Sequence, residues 1–142
     1  MKAFSLLFLR ISTGLLLVIW GFVRVMAPDK GVGLSHKYYD GVGAASSIQL
    51  LWGVLLLIVG TLCIFGLFRR VSYPAQAVVL VGGAAAIWKY LLDPLGLYLM
   101  APGTNQILFF PSLGMAAATI VLIAFRDDDR LSLDRWMARG PK

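Results

Sequence analysis

Residues 47–68 read SIQLLWGVLLLIVGTLCIFGLF and run directly into Arg69-Arg70. No residue in that run carries a formal charge. As an α-helix rising about 1.5 Å per residue it is about 33 Å long, enough to cross a hydrocarbon layer of ~30 Å. Backbone polar groups cannot be left unpaired in lipid, so such a stretch reads as a membrane-crossing helix. Outward from it, the same reading applies to residues 4–26, 74–92 and 107–125. Pro74 suits the first turn of its helix, where a missing N–H costs nothing, and Pro111 near the start of the last segment is tolerated or gives a mild kink.

The intervening residues read as connections. Ala27–Ser46 is a long loop with Gly31, Gly33, Gly41 and Gly43, and Arg69–Tyr73 is a tight basic turn. Asp93–Gln106 has Pro94, Gly96, Pro102 and Gly103, but also Leu95, Leu97, Tyr98, Leu99 and Met100, so it should lie in the membrane interface. Residues 126–142 form a short amphipathic tail in which Ser132 can cap a helix and Leu133, Trp136 and Met137 share a face. The expectation is one all-α domain over 1–142, an integral membrane four-helix bundle.

Composition agrees. Of 142 residues, 59% are hydrophobic and 14% charged, against roughly 25% charged in a soluble domain. Mean hydropathy is +0.81. All seven acids are Asp. The net charge of +6 comes mostly from Lys2, Arg69, Arg70, Arg126, Arg130, Arg135, Arg139 and Lys142, at helix ends and in the tail. Lys30 and Lys37, with Arg24 and Lys89 just below the surface, fall on the other side. That bias puts both termini and the Arg69-Arg70 turn in the cytoplasm, and it explains the charge without a nucleic-acid partner. Arg10 interrupts the N-terminal apolar run, so that run reads as a retained helix rather than a cleaved signal. Cys63 reads as a small, inert core residue.

Helix association in lipid depends on close packing. Arg10, Gly14, Leu17, Gly21 and Arg24 share one face of the first helix, and Gln49, Gly53, Leu56, Gly60 and Cys63 share one face of the second. Helix three offers Gly82, Gly83 and Ala84–Ala86, and helix four offers Gly114 and Ala116–Ala118. Arg10 either snorkels to the headgroups or makes a buried structural contact. Arg24, Lys89 and Asp93 fall near outer helix ends, with Lys89 and Asp93 one turn apart. Joined by Trp20, Trp88 and Tyr90, they would line a basic pocket able to hold a quinone headgroup, a carboxylate or a lipid phosphate. The plainer reading is a structural ion pair within an interfacial aromatic belt. His36 is the one histidine and reads as a solvated loop residue, so an internal bis-histidine haem site is excluded and no metal-ligand spacing exists. Asp127–Asp129, flanked by arginines, reads as salt-bridged solvated charge.

The chain resembles the DoxX family of small bacterial four-helix membrane proteins. The resemblance rests on Arg10, Gly14, Gly21 and Arg24 in the first helix, with Arg24 where Lys is more usual. It continues in Gly53–Gly60 and Gly66-Leu67-Phe68-Arg69, and in the tail sequence Arg130-Leu131-Ser132-Leu133-Asp134-Arg135, where Asp127 and Asp129 replace glycines. It implies a multi-pass protein of the bacterial cytoplasmic (inner) membrane, associated with redox metabolism. Relatives include a subunit of a thiosulfate:quinone oxidoreductase and accessory proteins of oxidative-stress complexes. The implied role is a non-catalytic subunit with membrane or periplasmic protein partners. Quinone is the one cofactor it brings in, and any parent enzyme would be a quinone-linked oxidoreductase. A small-solute or lipid binder, acting as a homo- or hetero-oligomer, and a purely structural assembly factor are the alternatives.

Overall fold

The computed structural model describes residues 1–101 and 103–138; Pro102 and residues 139–142, including the tail cations Arg139 and Lys142, lie outside the described residues. The described chain is all-α. Its helices are α1 (Lys2–Met26), α2 (Pro28–Tyr38), α3 (Ser46–Phe65), α4 (Arg69–Ala86), α5 (Trp88–Leu92), α6 (Pro111–Ala124) and α7 (Leu133–Met137), with short 3₁₀ turns at Ile107–Phe109 and Arg126–Asp128. Three stretches are long and apolar enough to cross a membrane: Lys2–Met26, Ser46–Phe65 and Ile107–Ala124.

The most extensive packing is α1 along α3. Four glycines set it. A Cβ added at Gly14 would lie 2.9 Å from Gly60 O, and one at Gly60 would lie 2.8 Å from Gly14 O. Likewise a Cβ at Gly21 would lie 2.7 Å from Gly53 O. The pairs 14–60 and 21–53 share one antiparallel register, and both glycine spacings are seven residues, two turns of each helix. The two backbones therefore touch where a side chain would hold them apart. Elsewhere α4 packs along α6, and contacts of α3 with α4 and of α1 with α6 join the two pairs. The core between them contains Leu6, Cys63, Tyr73 and Leu122. Gly82, Gly83 and Gly114 have nothing within 4 Å of a Cβ position, so the small residues expected to pack helices three and four include glycines that meet no neighbour.

Several boundaries differ from expectation. Ala27–Ser46 is not simply a loop: it contains α2, opened by Pro28 at the first turn with Asp29 beside it and closed by His36 and Lys37 in the last turn. Acid at the start and base at the end complement the helix dipole. The Arg69–Tyr73 turn is the first turn and a half of α4, so Pro74 sits inside a helix. The real turn is Gly66-Leu67-Phe68. Gly66 ends α3 in the left-handed conformation (φ 66°), with its N–H donated to Cys63 O and that of Leu67 to Leu62 O, a closure that glycine alone adopts without strain. The third segment then breaks at Ile87, so that α5 is a separate short helix. Pro111 opens α6 as its first residue.

Candidate functional site

Two groups of polar side chains are each organised around one arginine of α1. Fourteen residues separate Arg10 from Arg24, about 21 Å along a helix.

At the first end Arg10 is buried. Its Nη1 lies 2.9 Å from Asp129 Oδ2, and its Nη2 donates to Leu131 O at 3.1 Å. Tyr73 Oη donates to the same Asp129 oxygen, and Asp129 has 0% exposure. Of the two readings of Arg10, snorkelling and buried contact, the second is what the chain makes. Asp129 is correspondingly not part of a solvated acidic run. A buried guanidinium is costly without a partner, and the chain turns back after α6 to supply the Asp129 carboxylate and the Leu131 carbonyl. Asp127, by contrast, is exposed.

The same turn holds the start of α4. Arg69 Nη1 donates to Arg126 O (2.6 Å) and Asp129 O (3.0 Å). Asp134, in the first turn of α7, accepts from the backbone N–H groups of Phe68 (3.0 Å) and Arg69 (2.9 Å), with Arg69 Nε at 3.5 Å. A carboxylate at a helix N-terminus satisfies orphan donors and opposes the dipole. This acceptor comes from sixty-five residues away. It also anchors Phe68, whose φ of 48° is left-handed and costs roughly 1–3 kcal/mol for a residue with a side chain. Ser132 does not cap α7 through its hydroxyl as expected; its Oγ donates to Asp129 O at 3.1 Å.

At the second end Arg24 Nη1 donates to Gln49 Oε1. Gln49 Nε2 donates in turn to Ser35 Oγ (2.8 Å) and Gly43 O (2.6 Å). The group joins α1, α2, α3 and the loop before α3. Gly31 of α2 closes over it: a Cβ there would stand 2.5 Å from Gln49 Oε1.

The basic pocket drawn from Arg24, Lys89, Asp93, Trp20, Trp88 and Tyr90 is not assembled as one group. Among the described residues no ion pair joins Arg24, Lys89 and Asp93. Asp93 ends α5 and turns its carboxylate on its own loop: Oδ1 accepts from Leu97 N (2.8 Å), and Oδ2 from Tyr98 (2.8 Å), Leu99 (2.7 Å) and Met100 (3.2 Å). Enclosure works against ionisation, but the four backbone donors outweigh it and hold the carboxyl at about 2, below its ordinary 3.8, as multiple N–H donors do to a carboxylate. Four near donors leave it no call on Lys89, whose Nζ lies instead 5.8 Å from the Trp88 ring centroid. Trp20 and Trp88 are exposed on the outside of their helices. Tyr90 packs edge-to-face with Tyr38 (centroids 5.7 Å) and Phe109 (5.3 Å), tying α5 to α2 and to the turn before α6. His36 is exposed, on α2 rather than in a loop. Cys63 is buried and its thiol donates to Ser72 O. Among the described residues no cluster of side chains is arranged to hold a metal ion.

Sequence reading singled out Arg10 and Arg24 but missed their partners. For Arg24 the signal was present: Gln49 stands on the glycine face of its helix as Arg24 does on its own, so antiparallel packing must bring them together. For Arg10 the sequence leaves a buried contact open beside snorkelling, but nothing near it in sequence points to Asp129, 119 residues away. Tyr73 and Arg69 carry no local signal. In comparisons with known proteins, no family model, no curated protein and no solved structure matches the chain.

Proposed function

We propose that the chain is a multi-pass integral protein of the bacterial cytoplasmic membrane, a four-helix bundle with both termini inside, serving as a non-catalytic subunit or accessory protein of a redox complex. The observation that carries the membrane part is where the apolar surface lies. Phe4, Phe8, Leu15, Ile19 and Phe22 on α1, Leu51, Leu55 and Ile58 on α3, and Leu113, Ile120 and Ile123 on α6 are all exposed. Such faces are matched by lipid. Arg10 and Asp129 are buried and bind one another, and the partly exposed Asp134 binds backbone. Polar groups engaged in holding helix ends together suit a scaffold better than a proton-transfer or nucleophilic centre.

The redox association and any link to quinone rest on the resemblance carried by Arg10, Gly14, Gly21, Arg24 and the Ser132-Leu133-Asp134 tail. Tagged protein extracted from its native membrane in a mild neutral detergent should co-purify, in a fixed ratio, with a partner bearing a flavin, haem or iron–sulfur absorbance, and mass spectrometry should identify that partner. Recovery of the chain alone, or only with proteins devoid of such groups, rejects the redox assignment and leaves a solute or lipid binder, or an assembly factor, in its place.

A further inference from the structure

The two arginines of α1 face opposite ends of the bundle and are neutralised differently. Arg10 has the Asp129 carboxylate at 2.9 Å. Among the described residues Arg24 has no carboxylate within salt-bridge distance. The acids at its end are occupied or turned away: Asp29 and Asp40 are exposed, and both Asp93 oxygens are taken by backbone N–H groups. Arg24 donates instead to a neutral amide oxygen. An arginine facing protein near the membrane without a counter-charge is costly, and the missing charge is what an anionic ligand brings.

The surroundings are built rather than incidental. Gln49 is 4% exposed, and its amide nitrogen is committed to Ser35 Oγ and Gly43 O. That fixes which way the amide faces, and so fixes Nη1 of Arg24. On the opposite edge of the guanidinium Nε is unpartnered but enclosed, and Nη2, which donates to no described group, is the donor left for a ligand. A guanidinium N–H left unpaired is a charge-assisted donor of the kind that takes a carboxylate or phosphate oxygen. Arg24 itself is only partly buried, and a Cβ added at Gly31 of α2 would stand 3.3 Å from its Nη1.

We propose that Arg24, positioned by Gln49 beneath α2, binds an oxyanion: the phosphate of a phospholipid headgroup, or a small soluble phosphate or carboxylate. This site does not depend on the redox assignment and can be tested on the isolated chain. Protein stripped of lipid in a neutral detergent is titrated with inorganic phosphate and, separately, with a short-chain phosphatidylglycerol at fixed ionic strength, and thermal unfolding is followed by tryptophan fluorescence. A saturable rise in Tm is expected with at least one probe. Phosphate acting alone identifies a soluble oxyanion, and a response confined to the lipid identifies a headgroup. Arg24→Gln should weaken the apparent affinity by at least about tenfold, the worth of a charged hydrogen bond, whereas Lys2→Gln at the opposite end should not. Gln49→Glu places a carboxylate against Arg24 from within; it should keep the wild-type elution volume and helix content yet lose the response, which keeps the test open should Arg24→Gln not fold. No saturable response to either probe, an undiminished response in Arg24→Gln or in folded Gln49→Glu, or an equal loss in Lys2→Gln overturns the proposal.

Discussion

Asp129 is the residue on which most of the first polar end converges. Its carboxylate receives Arg10 and Tyr73, and its carbonyl receives Arg69 and Ser132. Removing one partner of a buried pair leaves the other charge uncompensated, which costs about 3–5 kcal/mol, whereas replacing both by apolar groups is often neutral. Asp129→Ala should therefore lower stability in detergent by that amount, and Arg10→Met combined with Asp129→Leu should lose much less than Asp129→Ala alone. Equal losses in the single and double variants, measured by reversible unfolding, would mean that the pair is not what the segment contributes. Asp93 makes a contrasting prediction, because its partners are backbone donors in its own loop. Its carboxyl lies at about 2 when folded and 3.8 when free. A depressed pKa gives stabilisation that is complete above the free value and is lost as pH falls through the folded one. Amide protection at Leu97–Met100, corrected for intrinsic exchange, should hold down to the ordinary carboxylate range and then collapse towards pH 2. Asp93→Asn should flatten that dependence, and a wild-type profile without the collapse would contradict the carboxylate's role.

At the scale of elements, the α1–α3 contact is the part most legible in the sequence. Glycines at 14 and 21 and at 53 and 60 have equal spacing, so one antiparallel register brings both pairs together. Gly21→Val and Gly60→Val must push backbone from backbone, and overpacking of this kind costs about 1–3 kcal/mol. Gly82→Ala is the informative control. Nothing lies within 4 Å of its Cβ position, so replacing a helical glycine there should stabilise by about 0.5–1 kcal/mol. If Gly82→Ala were as harmful as Gly21→Val in thermal unfolding, an unseen neighbour would have to occupy that face. The elements that reading the sequence misplaced were misplaced for identifiable reasons. Four glycines, Gly31 and Gly33 within α2 and Gly41 and Gly43 just after it, read as a loop, although Pro28, Asp29, His36 and Lys37 are the end signals of a helix. α4 starts before Pro74 because Asp134, from the far end of the chain, accepts its first N–H groups. No local pattern reports a cap supplied in trans. The Lys89–Asp93 pairing failed on a related ground: spacing of four predicts proximity, but not that the helix ends at Leu92 and frees the carboxylate to gather its own loop.

For the whole molecule, the question is whether α4 crosses the bilayer as the other three long segments are suited to. Its average composition is less apolar, since it opens with Arg69-Arg70 and contains Ser72, Tyr73 and Gln76. Those three middle residues are all buried, however, while Val71, Val78 and Val81 are exposed. A bilayer would meet that outer face rather than the average, so the polar residues of α4 do not bar the fourth crossing proposed above. It also runs along α6, one of the three apolar stretches, and its eighteen residues span about 27 Å. Four crossings put Lys37 and Lys89 outside and Arg130 inside. If α4 stayed on the inner side, Lys37 would still be outside, but Lys89 would be inside and Arg130 outside. The sole native thiol, Cys63, is buried and gives little background labelling, so single cysteines can be read cleanly. With a membrane-impermeant maleimide on intact cells, Lys37→Cys and Lys89→Cys should label at once, and Arg130→Cys only after permeabilisation. Labelling of Arg130→Cys from outside together with protection of Lys89→Cys would reduce the crossings to three. It would also break the packing of α4 on α6, and with it the route by which Asp129 returns to Arg10.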